Sequence, residues 1–316
     1  MQVAYSSRPI TMSIAAVERD TGLSKDTLRV WERRYGFPMP DRDGTGERSY
    51  PFDQVERLRA IKRLLDAGHR PGRIVAMAPS DLDRLTTATG LRVAAVATPP
   101  DIRESPELDG FMAAICQHDV DALRHLMART LSRIGLGRFV LEVVAPLNVQ
   151  VGEAWMAGRL EVFEEHSYTE SVQVVLRNAL HQLPASGAGR PCVLLATVPG
   201  EPHGLGLLMA EAVLALDGCR CISLGVQTPV WDIVRAAVAF RSEVVALSYT
   251  GCTNPQQTAN GLTELREKLP PPVALWAGGS AAVLRRRATE GVLVLPSLQD
   301  VAGALAKWRD GLAAVQ

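Results

Sequence analysis

The chain has 316 residues, 47% of them hydrophobic and 22% charged, with 34 basic and 34 acidic side chains. That length allows two or three domains, and that balance excludes a disordered, collagen-like or membrane-embedded chain. No run approaches about 20 apolar residues, so no membrane span is expected. The start, MQVAYSSRPITMS, lacks the apolar centre of a secretory leader. The five cysteines (Cys116, Cys192, Cys219, Cys221, Cys252) are scattered, form no zinc-type spacing, and fit reduced thiols of a cytoplasmic protein.

Residues 13–19 begin a short helix with Ile14 and Val17 on one side, and Gly22 breaks it at a turn that calls for positive φ. Ser24 is placed as an N-cap, with Asp26 in the first turn, for a helix over 25–35. On it Leu28, Trp31 and Tyr35 make an inward stripe, so Trp31 is core; the other side carries Lys25, Arg29, Arg33 and Arg34. Residues 38–50, with Pro38, Pro40, Gly44 and Gly46, read as a hairpin wing. Val55, Leu58, Ile61, Leu64 and Leu65 mark another helix, which Gly68 ends before Pro71 opens the next. The Thr, Pro and charge of 79–106 show no period and read as a linker.

From 107 to 184 the pattern is helical and predicts a four-helix bundle. After 188, apolar runs at 192–198, 221–225, 243–250, 273–278 and 292–297 alternate with helix-length segments. Strands buried on both faces and separated by helices predict a doubly wound parallel sheet of the flavodoxin-like kind. The expected organisation is a head over 10–80, a linker over 81–106, a bundle over 107–186 and an α/β domain over 188–314.

The net charge is zero, yet residues 11–75 hold 13 Lys and Arg against 10 Asp and Glu. A helix exposing Lys25, Arg29, Arg33 and Arg34 brings donors to guanine edges and phosphates in a major groove of double-stranded DNA. At the other end, the first strand of the sheet runs into Glu201-Pro202-His203-Gly204-Leu205-Gly206, where open α/β sheets bind ligands. Glu201 is spaced to accept the proton of one ring nitrogen of His203 and so orient the imidazole toward a metal. Gly204 and Gly206 leave room for something bulky near the backbone.

Over 11–80 the order of turn glycine, tryptophan, paired arginines and wing (SIAAVERDTGLSKDTLRVWERRYGF, then GERSYPFDQVERL) resembles the MerR family of regulators. That resemblance implies that Arg48 and Tyr50 hold backbone phosphates and that the protein acts as a dimer or larger homo-oligomer. No long heptad run follows residue 80, so assembly would use the bundle or the sheet domain, or occur only on DNA. The loop Glu201-x-His203-x-x-Gly206 is similar to the cobalamin-binding loop in which histidine replaces the cofactor's own base below cobalt. Ser248 and Thr250 after the third strand, and Gly278-Gly279 after the fourth, fall where that family receives the nucleotide tail.

In the bundle, Trp155 and the pair Glu165-His166 resemble the upper-face cap of light-responsive cobalamin-dependent repressors of the CarH and LitR kind. The whole likeness implies a repressor, not an enzyme, that holds DNA in the dark with adenosylcobalamin bound and releases it when light breaks the cobalt–carbon bond. Met156 stands where those photoreceptors often carry a histidine, and a thioether is a soft, neutral ligand unlike imidazole. A weaker photoresponse, a light-independent sensor of cobalamin level and a second chromophore are open at this point. So is a corrinoid methyl-carrier module, which the DNA-binding head argues against.

Overall fold

The computed structural model describes residues 11–42, 44, 46–66, 68–82, 84–86, 106–184, 189–251, 253–286 and 289–313. Its contacts divide the chain into two compact units, one holding the N-terminal head and the short segment Met156–Arg159, the other the rest of the bundle with the sheet. In the head, β1 (Thr11–Ser13) leads into α1 (Ile14–Thr21), which Ser13 caps by accepting the Ala16 N–H at 3.3 Å. Gly22 ends α1 at φ 69°, in the left-handed region that glycine enters at little cost. Ser24 then caps α2 (Lys25–Tyr35) by accepting the Thr27 N–H at 3.1 Å.

The wing is β2 (Asp41–Arg42) and β3 (Arg48–Pro51), followed by α3 (Phe52–Asp66) and α4 (Pro71–Ile74). It is a three-stranded sheet rather than a two-stranded hairpin: β3 lies between β1 and β2, with Met12 opposite Tyr50 and Arg42 opposite Arg48. Three residues are too few to show the alternation that marks a strand, so β1 was not legible in the sequence. Val17, Leu28, Trp31, Tyr50, Leu58, Ile61 and Leu64 close the head core. The expected linker begins too early, because residues 79–82 and 84–86 are helical and Leu82 is buried in that core. The rest of the expected linker, 87–105, lies outside the described residues, as does Cys252.

The second unit opens with α5 (Pro106–Cys116) and α6 (Val120–Ile134). A third rod follows as α7 (Leu136–Arg138), a π-helical stretch (Phe139–Val144) and α8 (Ala145–Met156); α9 (Val162–His181) completes the bundle. Phe111, Met127, Phe139, Leu147, Tyr168 and Leu176 fill its centre, each fully buried large side chain contributing roughly 1.5–3 kcal/mol.

The sheet is wholly parallel, with strands β4 (Cys192–Ala196), β5 (Arg220–Gly225), β6 (Val244–Tyr249), β7 (Ala274–Gly279) and β8 (Val292–Leu295). Their order is β5-β4-β6-β7-β8. Helices α10 (Leu205–Leu216), α11 (Val230–Ala239), α12 (Pro255–Lys268), α13 (Ala282–Arg286) and α14 (Asp300–Ala313) cover the faces. In this order the direction of winding reverses between β4 and β6, the crevice where such sheets take ligands. Leu208, Met209 and Ala212 of α10 are buried in the bundle core, while Leu207 and Leu214 of the same helix pack under the sheet. One helix is thus shared between the two layers.

Candidate functional site

Beyond β4 the chain is tied down before it reaches His203. Thr197 is fully buried; its hydroxyl donates to the Glu201 carbonyl at 2.6 Å and accepts the Gln227 N–H at 2.8 Å. The loops after β4 and β5 are therefore one hydrogen-bonded piece. Glu201, also fully buried, accepts four bonds. Its Oε1 takes the His203 backbone N–H at 3.1 Å and Nδ1 at 2.6 Å, and its Oε2 takes the Thr250 N–H at 2.6 Å and hydroxyl at 2.8 Å.

An uncompensated buried carboxylate costs several kcal/mol, and these donors are what make it tolerable. Burial alone would push the Glu201 carboxyl up; the bonds from His203 and Thr250 outweigh it and hold the group below the ordinary carboxylate range. An ionised acceptor requires the proton on Nδ1, which leaves the lone pair of the neutral ring on Nε2, the nitrogen able to coordinate a metal. The side chain of His203 is 49% exposed, so the ring stands at the mouth of the crevice on a buried footing.

Glycines let the strand ends close around this footing. A Cβ on Gly206 would lie 2.6 Å from Ser248 Oγ, and one on Gly204 would lie 3.0 Å from Val226 Cγ1. Gly279 has φ +109° and would place a Cβ 2.1 Å from the Tyr249 carbonyl oxygen; at Gly278 the neighbour is the Leu295 carbonyl at 3.2 Å. The sequence reading assigned these glycines to the approach of a ligand. The structure supplies an internal reason for each, most strictly for Gly279. Tyr249 is buried, and its hydroxyl has no hydrogen-bond partner among the described residues.

An imidazole backed by a buried carboxylate, glycine-lined strand ends and an orphaned phenol beside them fit a bulky, metal-centred cofactor with polar groups on its tail. Among the capping candidates, Trp155 is partly buried against the bundle core and Met156 is buried. Glu165 and His166 lie near the start of α9, with Glu165 Oε2 2.6 Å from His166 Nδ1 and the Thr169 hydroxyl donating to Glu165 Oε1 at 2.8 Å. The His166 side chain is 71% exposed. The structure thus makes two hydrogen-bonded groups, Glu201–His203–Thr250 and Glu165–His166–Thr169. Thr197, which orders the first, was missed; a threonine just after an apolar strand carries no signal by itself.

In the head, Arg29, Arg33 and Arg34 are exposed on α2, and Lys25 is half-exposed. Asp26 pairs with Arg29 at 3.2 Å, Glu18 with Lys25 at 3.6 Å, and the Arg34 guanidinium lies 5.4 Å from the Tyr35 ring centre. The same face carries Val30, 42% exposed, which sequence reasoning passed over although it falls off the inward stripe. The structure bears on both residues expected to hold phosphates, and burial corrects one of them, Tyr50. Tyr50 is fully buried in the head core with its hydroxyl unpartnered, so its ring is packing. Arg48 is engaged by Glu32 of α2, its Nε donating to Oε2 at 2.9 Å.

Comparison with known proteins agrees with this division. Residues 12–81 match the MerR HTH family of regulatory proteins, and residues 107–179 and 191–295 each match a B12 binding domain. The HTH-type transcriptional repressor CarH of Myxococcus xanthus is 33% identical over 263 residues, 83% of this chain and 86% of CarH. CarA of the same organism, also an HTH-type transcriptional repressor, is 30% identical over 282 residues, 87% of this chain and 90% of CarA. The structure of the Methanosarcina barkeri monomethylamine corrinoid protein aligns with a TM-score of 0.51 at 15% identity, covering 62% of this chain and 95% of that one. At that identity it shows the fold alone. No helix among the described residues is long and apolar enough to cross a membrane. The chain belongs to the family of MerR-type HTH regulators with a cobalamin-binding C-terminal half, of which CarH and CarA are members.

Proposed function

We propose that this protein is a cytoplasmic repressor that holds operator DNA through α2 as a homo-oligomer and is controlled by adenosylcobalamin and light. The observation that carries the reading is the Glu201–His203–Thr250 group at the switch point of the sheet. His203 would hold cobalt through Nε2, with Glu201 fixing the tautomer and Thr250 fixing Glu201. Ser248, Tyr249, Gly278 and Gly279 would receive the tail, and Trp155, Met156, Glu165 and His166 would close the upper side. When bound, an alkylcobalamin supplies a cobalt–carbon bond that visible light cleaves.

The chain's own part is to turn a change above His203 into a change of assembly. Because α10 starts just after Gly204 and is buried in both cores, a displacement of the bundle is felt by the helix that follows the histidine loop. Loss of oligomeric contacts would then release DNA, since linked heads gain roughly 10²–10⁴ in apparent affinity over single ones. In the DNA contact set, Lys25, Arg29, Arg33 and Arg34 reach the groove.

The deciding experiment is an absorption spectrum and a light-scattering mass of the reconstituted protein, dark and illuminated, for wild type and His203→Ala. A spectrum that His203→Ala shifts and that changes with light alongside the mass supports the reading. A cobalamin spectrum that ignores light makes the protein a sensor of cobalamin level, and no uptake of any corrinoid ends the cofactor assignment.

A further inference from the structure

The wing arginine is held by a carboxylate of the DNA-reading helix. Arg48 Nε donates to Glu32 Oε2 at 2.9 Å, with Nη2 3.5 Å from Oε1, and the two side chains are only 26% and 30% exposed. At 3.6 residues per turn, Glu32 lies on the border of α2, between the inward row of Leu28, Trp31 and Tyr35 and the outward line of Lys25, Arg29 and Arg33. The strand that carries Arg48 is paired along both edges, by Met12 opposite Tyr50 and by Arg42 opposite Arg48. Tyr50, two residues on, is fully buried in the head core. The ion pair therefore joins a strand fixed on both sides to the flank of the reading helix.

Its two charges also cancel. Arg48 has little positive charge left to offer a phosphate, and Glu32, which stands beside the DNA-reading arginines and would repel the backbone, is neutralised. We propose that Glu32 and Arg48 form a single strut: Arg48 serves DNA binding as a positioning residue, by setting the wing against α2 and masking Glu32, rather than as a phosphate ligand. This rests on the DNA-reading role given to α2 above.

The test is a double-mutant cycle in the full chain. Wild type, Arg48→Met, Glu32→Gln and the double variant are titrated, at several salt concentrations, against a duplex that the wild type recovers from a random pool. Arg48→Met is expected to weaken binding about ten-fold by unmasking Glu32, and to cost under about two-fold when Glu32 is already Gln. The salt dependence of the double variant should match that of wild type, because replacing a neutral pair by two neutral side chains changes no counterion release. An equal loss in both backgrounds, with the salt slope reduced by about 1, would overturn the strut and make Arg48 a phosphate ligand. If Arg48→Met does not fold, Arg48→Lys replaces it: the strut predicts a loss that Glu32→Gln relieves, and a phosphate ligand predicts retained affinity. A wild type that recovers no duplex would instead remove the DNA-reading role, and the strut's function with it.

Discussion

Single side chains decide most of what distinguishes this chain's two ends. Glu201 is the sharpest case, since one buried carboxylate orients the histidine and ties it to the loop after β6. Glu201→Gln presents either an N–H to the Thr250 N–H or an amide oxygen with no charge to hold the tautomer. Stability of the second unit should fall by about 1–3 kcal/mol, read by denaturant titration. In reconstituted protein, cobalamin retention should drop as well, read by absorbance after gel filtration; full retention would remove Glu201 from the site. Tyr50 gives the opposite expectation. Its hydroxyl is buried without a partner among the described residues, so Tyr50→Phe should raise the melting temperature or leave it unchanged, because the penalty it removes is up to about 1–3 kcal/mol. DNA affinity should stay the same, and a marked loss would restore the hydroxyl as a phosphate contact.

Among the elements, β6 and β7 show how closely strand ends must approach to build the crevice. Their register brings Tyr249 opposite Gly279, and the Tyr249 carbonyl occupies the space a side chain would need. Gly279→Ala combines a positive φ with a backbone clash, so it should cost about 3 kcal/mol or more, or prevent folding of the α/β domain. A soluble variant with wild-type melting would show that β7 can shift aside. The element pattern was largely legible beforehand. The apolar runs at 192–198 and 243–250 became β4 and β6 because a strand buried on both faces must be apolar throughout. The helix over Lys25–Tyr35 was marked at its start by Ser24, and the structure ends it at Gly36. The strand Thr11–Ser13 and the helical turns within 79–86 were not marked, since their structure comes from partners distant in sequence.

For the second unit as a whole, the telling feature is the polar chain that crosses from bundle to sheet. The Tyr168 hydroxyl donates to Asn148 Oδ1, and Asn148 Nδ2 lies 3.3 Å from Met209 Sδ on α10. It sits within a shared apolar core, so the bundle and the sheet should melt together. Asn148→Leu leaves the Tyr168 hydroxyl buried and unpaired, which should cost about 1–3 kcal/mol and broaden or split the calorimetric transition. Adding Tyr168→Phe should recover most of that loss. If the double variant is no more stable than the single, the loss is one of packing and the polar chain is incidental.

The sequence by itself determined the order of domains, the type of nearly every element, the exposed basic face of α2 and the loop carrying Glu201 and His203. These depend on local chemistry: the spacing of apolar residues, capping side chains and glycines that permit turns. Only the tertiary structure decided that Arg48 belongs to Glu32, that Tyr50 is packing, and that Thr250 and Thr197 hold Glu201 in place. Arg48 and Glu32 lie 16 residues apart and Thr250 and Glu201 49; Thr197 is only four residues from Glu201, and its distant partner is Gln227, 30 residues on. Which of the many donors in the chain reaches a given carboxylate is set by strand order and helix packing, which no local pattern encodes.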